Sequence, residues 1–561
     1  MKRFFAAGLA AILLSNCVAG DDAGSLADLD IPAIEPGEIS ADTLRDMTRE
    51  LSLDRYEGRM PGTPGEELTL AYLVEKFAAA GLEPGNNGSW FQDVPLVEIT
   101  GKNYAPLSVT ADGERTDFGF GREWVGVTYR EQGHIDLDDS ELVFVGYGIN
   151  APERGWNDYE GIDMAGKTAV ILVNDPDWTI EGLEGTFNGR AMTYYGRWTY
   201  KFEEAARQGA AAALIVHEEA PASYPWGVVE NGWTGPQAYA VRSDGGADQT
   251  LMNGWVQKDV AERLLEMAGQ DLGELTQAAT SQGFRPVPLG IGASTSFDND
   301  IRRYESKNVV GLLRGSERPD EYVVHSAHWD HLGRCNATPE GDDICNGAID
   351  NATGTAALVA LAEAYNKSGP PARSLLFLAV TAEEQGLLGS EFFAANPVVP
   401  LDRIVGGLNM DSLHPKSPTR DVGVVGGGKS QLDAFLEAAL AWQGRTQTPD
   451  STPEAGYYYR SDHFSFAKRG VPMLYVDPGE DLSEGGREAG RAWDVDYRAN
   501  IYHSPNDEFD PAWDWTNVVQ DVELYYVIGR MLAQSTSWPN WLPDDEFRLL
   551  RDELCAGDGG C

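Results

Sequence analysis

Basic residues are scarce in this chain: 43 Lys and Arg stand against 88 Asp and Glu in 561 residues, a formal charge of −45. The figure becomes −47 once Lys2 and Arg3 are removed, because residues 1–20 carry no acid. So anionic a surface makes nucleic acid a poor partner. Long apolar runs are missing as well. The one at the N-terminus, Phe4 to Leu14, follows two cations and is too short to span a bilayer, which is the pattern of an export signal over residues 1–20. There is no Gly-x-Ser-x-Gly elbow, which disfavours a serine hydrolase. His217-Glu-Glu-Ala-Pro lacks the second histidine of a zincin helix, and Gly426-Gly-Gly428-Lys429-Ser430 lacks the spacing of a phosphate loop.

Cysteine is rare too, at five. Leu14-Ser15-Asn16-Cys17 has the form of a lipoprotein box, with a signal over 1–16 and a lipid on Cys17. Cleavage after Val18-Ala19-Gly20 is the competing reading. Either way the expected location is outside the cytoplasm: the periplasm, the cell envelope through a lipid anchor, or the medium. In that oxidising setting the other four cysteines are expected to close two short loops, Cys335–Cys345 and Cys555–Cys561.

What remains is long enough for two compact domains. Residues 21–38 are acidic and poor in aromatics, the composition of a mobile leader. Leu44, Met47, Leu51 and then Leu68, Tyr72, Leu73, Phe77 fall at helical spacing on either side of the turn-rich Gly58-Arg-Met-Pro-Gly-Thr-Pro-Gly65. Residues 104–288 carry their own strands and a helix and are predicted to form an inserted domain between the strand Phe91–Ile99 and the extended runs after Ser294. Residues 39–103 and 289–561 then make the host. Its continuous apolar runs Tyr322–Val324, Leu375–Val380, Ile404–Leu408 and Val471–Val476 alternate with helical stretches. That is the pattern of an α/β fold with a mixed, largely parallel sheet sandwiched by helices.

Chemistry gathers at the ends of those strands, where ligands of open α/β sheets bind. In order come His328, Asp350, Glu384, Asp411 and His503, with a spare carboxylate, Glu383, beside the third. Two divalent, zinc-like ions that share one bridging carboxylate need two terminal ligands each and a base for the water between them. His328-Trp329-Asp330 is spaced so that Asp330 can hold the second ring nitrogen of His328 and fix its tautomer. Asp350, among short side chains just before a helix, suits the bridge. Of the pair Glu383 and Glu384, one can ligate while the other moves a proton.

These segments resemble peptidase family M28, the co-catalytic zinc exopeptidases. The likeness rests on His328-x-Asp330, Gly-Ala-x-Asp350, Ala382-Glu-Glu384-Gln-Gly-Leu-Leu-Gly389-Ser, Asn409-Met-Asp411, Asp462-His-x-x-Phe466 and Tyr502-His503-Ser-Pro-Asn506. It implies the phosphorylase/hydrolase-like zinc exopeptidase fold, with a β-rich α/β insert similar to a protease-associated domain. It implies two Zn2+: one held by His328 and Asp411, the other by Glu384 and His503, with Asp350 bridging and Glu383 the general base. Tyr458, in the triple Tyr457-Tyr458-Tyr459, matches the tyrosine that steadies the tetrahedral intermediate.

The function implied is an exported aminopeptidase that hydrolyses the N-terminal bond of peptides with a free N-terminus, through a metal-bridging hydroxide. A carboxypeptidase or dipeptidase similar to glutamate carboxypeptidase is the enzymatic alternative, with Arg460 as a carboxylate holder. Glutaminyl cyclase, with one metal, fits a full five-ligand set less well. A non-catalytic, receptor-like binding protein is the alternative of another class.

Overall fold

The computed structural model describes residues 29–111, 113–182, 184–450, 452–557 and 561. The export signal, most of the acidic leader and Cys17 lie outside the described residues. Among those described, no helix is long and apolar enough to cross a membrane.

The host sheet is built from β1 (Phe91–Lys102), β2 (Val287–Leu313), β3 (Arg318–His328), β4 (Arg373–Val380), β5 (Ile404–Asn409), β6 (Asp421–Val425), β7 (Thr446–Thr448) and β8 (Met473–Pro478). From β2 inward the order is β2, β4, β3, β5, β8, β6, β7. The central four, β4, β3, β5 and β8, run parallel, while β2 is antiparallel to β4 and β6 to β8, and β7 is parallel to β6. In β4 the alternate residues Leu375, Phe377 and Ala379 enter the core under α3 (Gly354–Lys367) and α6 (Thr516–Gln534), while Leu376, Leu378 and Val380 enter the core on the other face. Burial on both faces is why this strand reads as an unbroken apolar run. The helix α3 is apolar almost all round because it is buried almost all round. Each of its leucines contributes about 1.5–3 kcal/mol by leaving water. The predicted pair of N-terminal helices forms as α1 (Ala41–Leu51) and α2 (Pro64–Ala79), and α4 (Leu432–Gln443) and α5 (Gly486–Asn500) complete the set used below.

Two expectations are corrected. The leader is not loose from residue 29 onward: Leu29, Ile31 and Ile34 pack on the host core, and Asp30 accepts the Thr536 N–H at 2.9 Å while its carbonyl accepts the Ser535 hydroxyl at 2.6 Å. Three apolar side chains suffice to dock an acidic segment whose composition suggested mobility. The insert, in turn, does not end at residue 288. A single 27-residue strand, β2, runs from one unit into the other: Leu289, Ile291, Ala293 and Phe297 belong to the insert core, and Val309 to the host core. Between them β2 pairs with β1 from Asp298↔Lys102 to Val309↔Phe91, so a two-stranded ribbon joins the units.

The insert has its own sheet. Met252–Gln257, Ala212–His217, Thr168–Leu172 and His134–Phe144 lie parallel in that order, flanked antiparallel by Trp124–Val127 and β2. The helices Trp198–Arg207 and Lys258–Met267 cover opposite faces. Both predicted disulfides are present, Cys335–Cys345 and Cys555–Cys561.

Candidate metal centre

The parallel strands end at one height. His328 is opposite Val380, Ser326 opposite Asn409, and Asn409 opposite Tyr475, so the segments that follow β3, β4 and β5 meet at the same rim. His328 closes β3, Glu383 and Glu384 follow β4, and Asp411 follows β5. The turns that carry them are tight: Ala382, Ser412 and His503 all have left-handed backbone, with φ of 54°. Non-glycine residues seldom adopt this conformation, and it clusters at functional sites. Asp350 arrives from the segment before α3, through a cis peptide to Asn351. Asn351 donates to the Met410 carbonyl at 3.0 Å and accepts the Ser412 N–H at 3.1 Å, which ties this segment to that of Asp411. Gly354 permits the approach, since a Cβ there would lie 2.5 Å from the Met410 oxygen.

All five predicted ligands converge. His328 Nε2 is 3.3 Å from Asp350 Oδ1 and 3.3 Å from Asp411 Oδ1; His503 Nε2 is 3.2 Å from Asp350 Oδ2 and 3.1 Å from Glu384 Oε2. Asp350 thus turns one oxygen to each of two poles. Zinc bonds of about 2.0–2.1 Å in a tetrahedron place neighbouring ligand atoms about 3.3–3.4 Å apart, so both poles match the donor spacing and chemistry of zinc. His328, Asp350 and Asp411 form one potential metal-holding group, His331, Asp350 and Glu384 a second, and His328, Glu383 and Glu384 a third.

Electrostatics separates the two glutamates. Burial opposes ionisation of Glu384, yet His503 and His331 hold its carboxyl down to about 2. Burial pushes Glu383 well above the usual carboxylate range, and Glu384 and Asp411 add to the rise against the pull of His328. Among the described residues the Glu383 carboxylate has no hydrogen-bond or ion-pair partner, and it lines a cavity of about 410 Å³ that opens beside the cluster. Burial also works against the charge on His503, but Glu384 and Asp350 raise it to about 11.

Two predicted roles change. Asp330 does not hold His328 by its carboxylate: His328 Nδ1 lies 3.2 Å from the Asp330 backbone carbonyl, and the carboxylate oxygen is farther, at 3.8 Å. The Asp330 carboxylate instead accepts the backbone N–H groups of Glu383 at 3.1 Å and Glu384 at 3.4 Å, so it shapes the turn that presents both glutamates. Tyr458 is not in the cavity. It is 5 % exposed, packs against Tyr459, His463 and Phe547 with the Lys429 ammonium over its ring, and its hydroxyl finds no partner among the described residues. The short 3-10 turn Tyr457–Tyr459 points Tyr458 inward and leaves Tyr457 and Arg460 on the cavity wall.

His331, which flanks the first motif and is a candidate supporting or pocket group in the sequence, and two residues given no role there complete the site. His331 Nδ1 is 2.6 Å from Glu384 Oε1, which leaves Oε2 for His503. Ser461 donates to Asp411 Oδ2 at 2.7 Å and accepts from Asn409. Asp507 accepts the N–H groups of Ile349 at 2.9 Å and Asp350 at 3.0 Å, joining the His503 loop to the Asp350 segment. Ser461 and Asp507 stood next to recognised motifs, but adjacency alone carries no role.

An α/β sheet whose parallel strands deliver histidines and carboxylates at zinc-ligand spacing, with a further glutamate beside them, is suited to hold two metal ions. Residues 308–527 match the model of peptidase family M28. The relatives include aminopeptidase NAALADL1 of Mus musculus, 32 % identical over 138 residues, which cover 23 % of this chain and 17 % of the mouse protein. A probable glutamate carboxypeptidase, VP8 of Zea mays, is 27 % identical over 405 residues, 67 % of this chain and 50 % of the maize protein. The chain thus spans half the length of its maize relative and less of the mouse one. Among solved structures, an aminopeptidase from Aneurinibacillus sp. strain AM-1 is 18 % identical with a TM-score of 0.48, over 89 % of this chain and 95 % of that one.

Proposed function

We propose that this protein is an exported aminopeptidase that uses two zinc ions to cut the first bond of peptides with a free N-terminus. The observation that carries the reading is the pairing of two zinc-spaced poles on one carboxylate, Asp350, with an unpartnered Glu383 facing the adjoining cavity. His328 and Asp411 would hold one ion, Glu384 and His503 the other. When bound, the ions supply Lewis acidity toward the scissile carbonyl and make water a stronger acid. Glu383, facing the cavity, takes the proton of the attacking water and passes it to the leaving amine. Asp330 keeps Glu383 in place through its backbone N–H, and the acidic wall suits the substrate ammonium group. The insert, of protease-associated type in this reading, supplies no ligand and supports the cavity from outside.

A second reading, carboxypeptidase or dipeptidase, is favoured by two arginines on the cavity wall, Arg460 and Arg498, both stacked near the Tyr457 ring. Such guanidinium groups suit a substrate carboxylate. Hydrolysis of aminoacyl anilides compared with N-acetylated dipeptides decides: turnover of the first alone supports the aminopeptidase, and turnover of the second alone overturns it.

A further inference from the structure

The sequence gives Arg59 no role, and it lies outside the segment that matches the family model. It is nonetheless fully buried beneath the candidate metal centre. Its Nε donates to the Trp329 carbonyl at 2.9 Å, Nη1 to those of Leu51 at 2.9 Å and Asn346 at 2.5 Å, and Nη2 to that of Gly347 at 2.8 Å. Trp329 follows the ligand His328, while Asn346 and Gly347 lead into Asp350. One planar guanidinium therefore fastens the two segments that bring His328 and Asp350 together, and anchors both to the end of α1. Its charge faces the carboxylates of Asp507, Asp330, Asp350 and Glu384.

The way Arg59 is delivered is unusual. Glu57, Gly58 and Arg59 are three successive left-handed residues, with φ of 47°, 65° and 50°. Only the glycine adopts that backbone without strain, so the turn must be held by its surroundings. It is held by the small hairpin of Gly333–Arg334 and Ile344–Cys345, which the Cys335–Cys345 disulfide closes. A Cβ on Gly58 would lie 2.5 Å from the Cys345 carbonyl oxygen and 2.6 Å from that of Gly333. Asn346 reinforces the join, donating to Asp54 at 2.9 Å and to Glu508 at 2.6 Å.

We infer that Arg59 is a positioning residue of the metal centre: the left-handed turn, wedged under the disulfide hairpin, inserts a guanidinium that sets the distance between His328 and Asp350 and offsets the carboxylates around them. The inference rests on the zinc reading of that cluster. A neutral side chain frees four carbonyls and leaves the carboxylates to repel one another. Lysine keeps the charge, but its single ammonium cannot span both segments.

The test is zinc affinity, measured by competition with a chromogenic chelator on wild type, Arg59→Met, Arg59→Lys and Gly58→Ala, with melting of the apo and zinc-loaded forms alongside. Arg59→Met is expected to bind zinc about 10- to 100-fold more weakly, the range for groups that orient ligands. Arg59→Lys should recover part of the loss, Gly58→Ala should lose affinity without touching Arg59, and the rise in Tm on adding zinc should shrink in each. Unchanged zinc affinity, with apo and loaded Tm lowered equally, would make Arg59 a purely structural residue and overturn the proposal. If Arg59→Met fails to fold, Arg59→Lys decides on the same measurement. Failure of wild type to bind zinc would sink the metallopeptidase reading itself.

Discussion

Glu383 and Glu384 are neighbours whose environments part completely: Glu384 is gripped by two histidines, while Glu383 faces the cavity without a partner among the described residues. Glu383→Gln is expected to keep its metal and fold while kcat falls about 10²- to 10⁴-fold, the usual contribution of a general base. Zinc lost from this variant would mean that Glu383 ligates. Asp330→Ala should behave differently, because it frees the backbone N–H groups of both glutamates. Activity and zinc affinity are both expected to drop about 10- to 100-fold, as read by kinetics and metal titration. His325, buried in β3 and stacked on Phe377, gives a residue-scale pH effect. Burial holds its pKa down to about 3. The unfolded chain, with an ordinary histidine near 6.5, takes up that proton first, so this stability is present above about pH 6.5 and is lost as pH falls toward 3. Melts between pH 7 and 5 should decline less steeply for His325→Phe, by up to about 1.4 kcal/mol per pH unit. An unchanged slope would show that His325 does not matter to acid stability.

At the scale of elements, the insert touches the cavity from behind. Its segment around residue 192 meets the wall formed by residues 452–460: Met192 N–H donates to the Pro453 carbonyl at 3.1 Å, Arg190 pairs with Glu454 at 2.8 Å, and the Tyr194 ring packs on Tyr459 and Phe464. Tyr457 and Arg460 line the cavity from the same segment. Tyr194→Ala should loosen this wall, raising KM several-fold with zinc content unchanged. A fall in zinc content would place the insert nearer the metal chemistry than its contacts do. The helix α5 forms another wall, with Asp494, Tyr497 and Arg498 on one face by their spacing of three and four, and His503 follows three residues after its end. The last ligand and part of the substrate wall are therefore carried by one element.

On the scale of the molecule, Asp330, Asp350, Glu383, Glu384, Asp411, Asp462 and Asp507 crowd one rim of a chain already at −45. Removing metal with a chelator should therefore lower Tm, and zinc should restore it, because a ligand bound only by the folded state stabilises it by mass action. A stoichiometry of about two per chain is expected. A Tm indifferent to zinc would contradict a centre that helps hold the rim together.

How much of this was legible in the sequence follows from how local each signal is. The candidate ligands His328, Asp350, Glu384, Asp411 and His503 were readable because each sits in a short motif, three of them just past the end of a parallel strand, where strand ends share one rim. The α/β class was readable from the same runs. Arg59, His331, Ser461 and Asp507 act through partners that are distant in the chain or through backbone atoms, and neither leaves a pattern in residue type. Tyr458 was misplaced for a related reason: three identical side chains in a row are distinguished only by which way a single tight turn points them. Alternation and motif spacing are properties of the chain itself, so the sequence alone determined the central parallel strands and the candidate ligand set. Which carboxylate grips and which stays free, and how the insert joins the host through a two-stranded ribbon, are set by packing between segments far apart in sequence, and only the tertiary structure decided them.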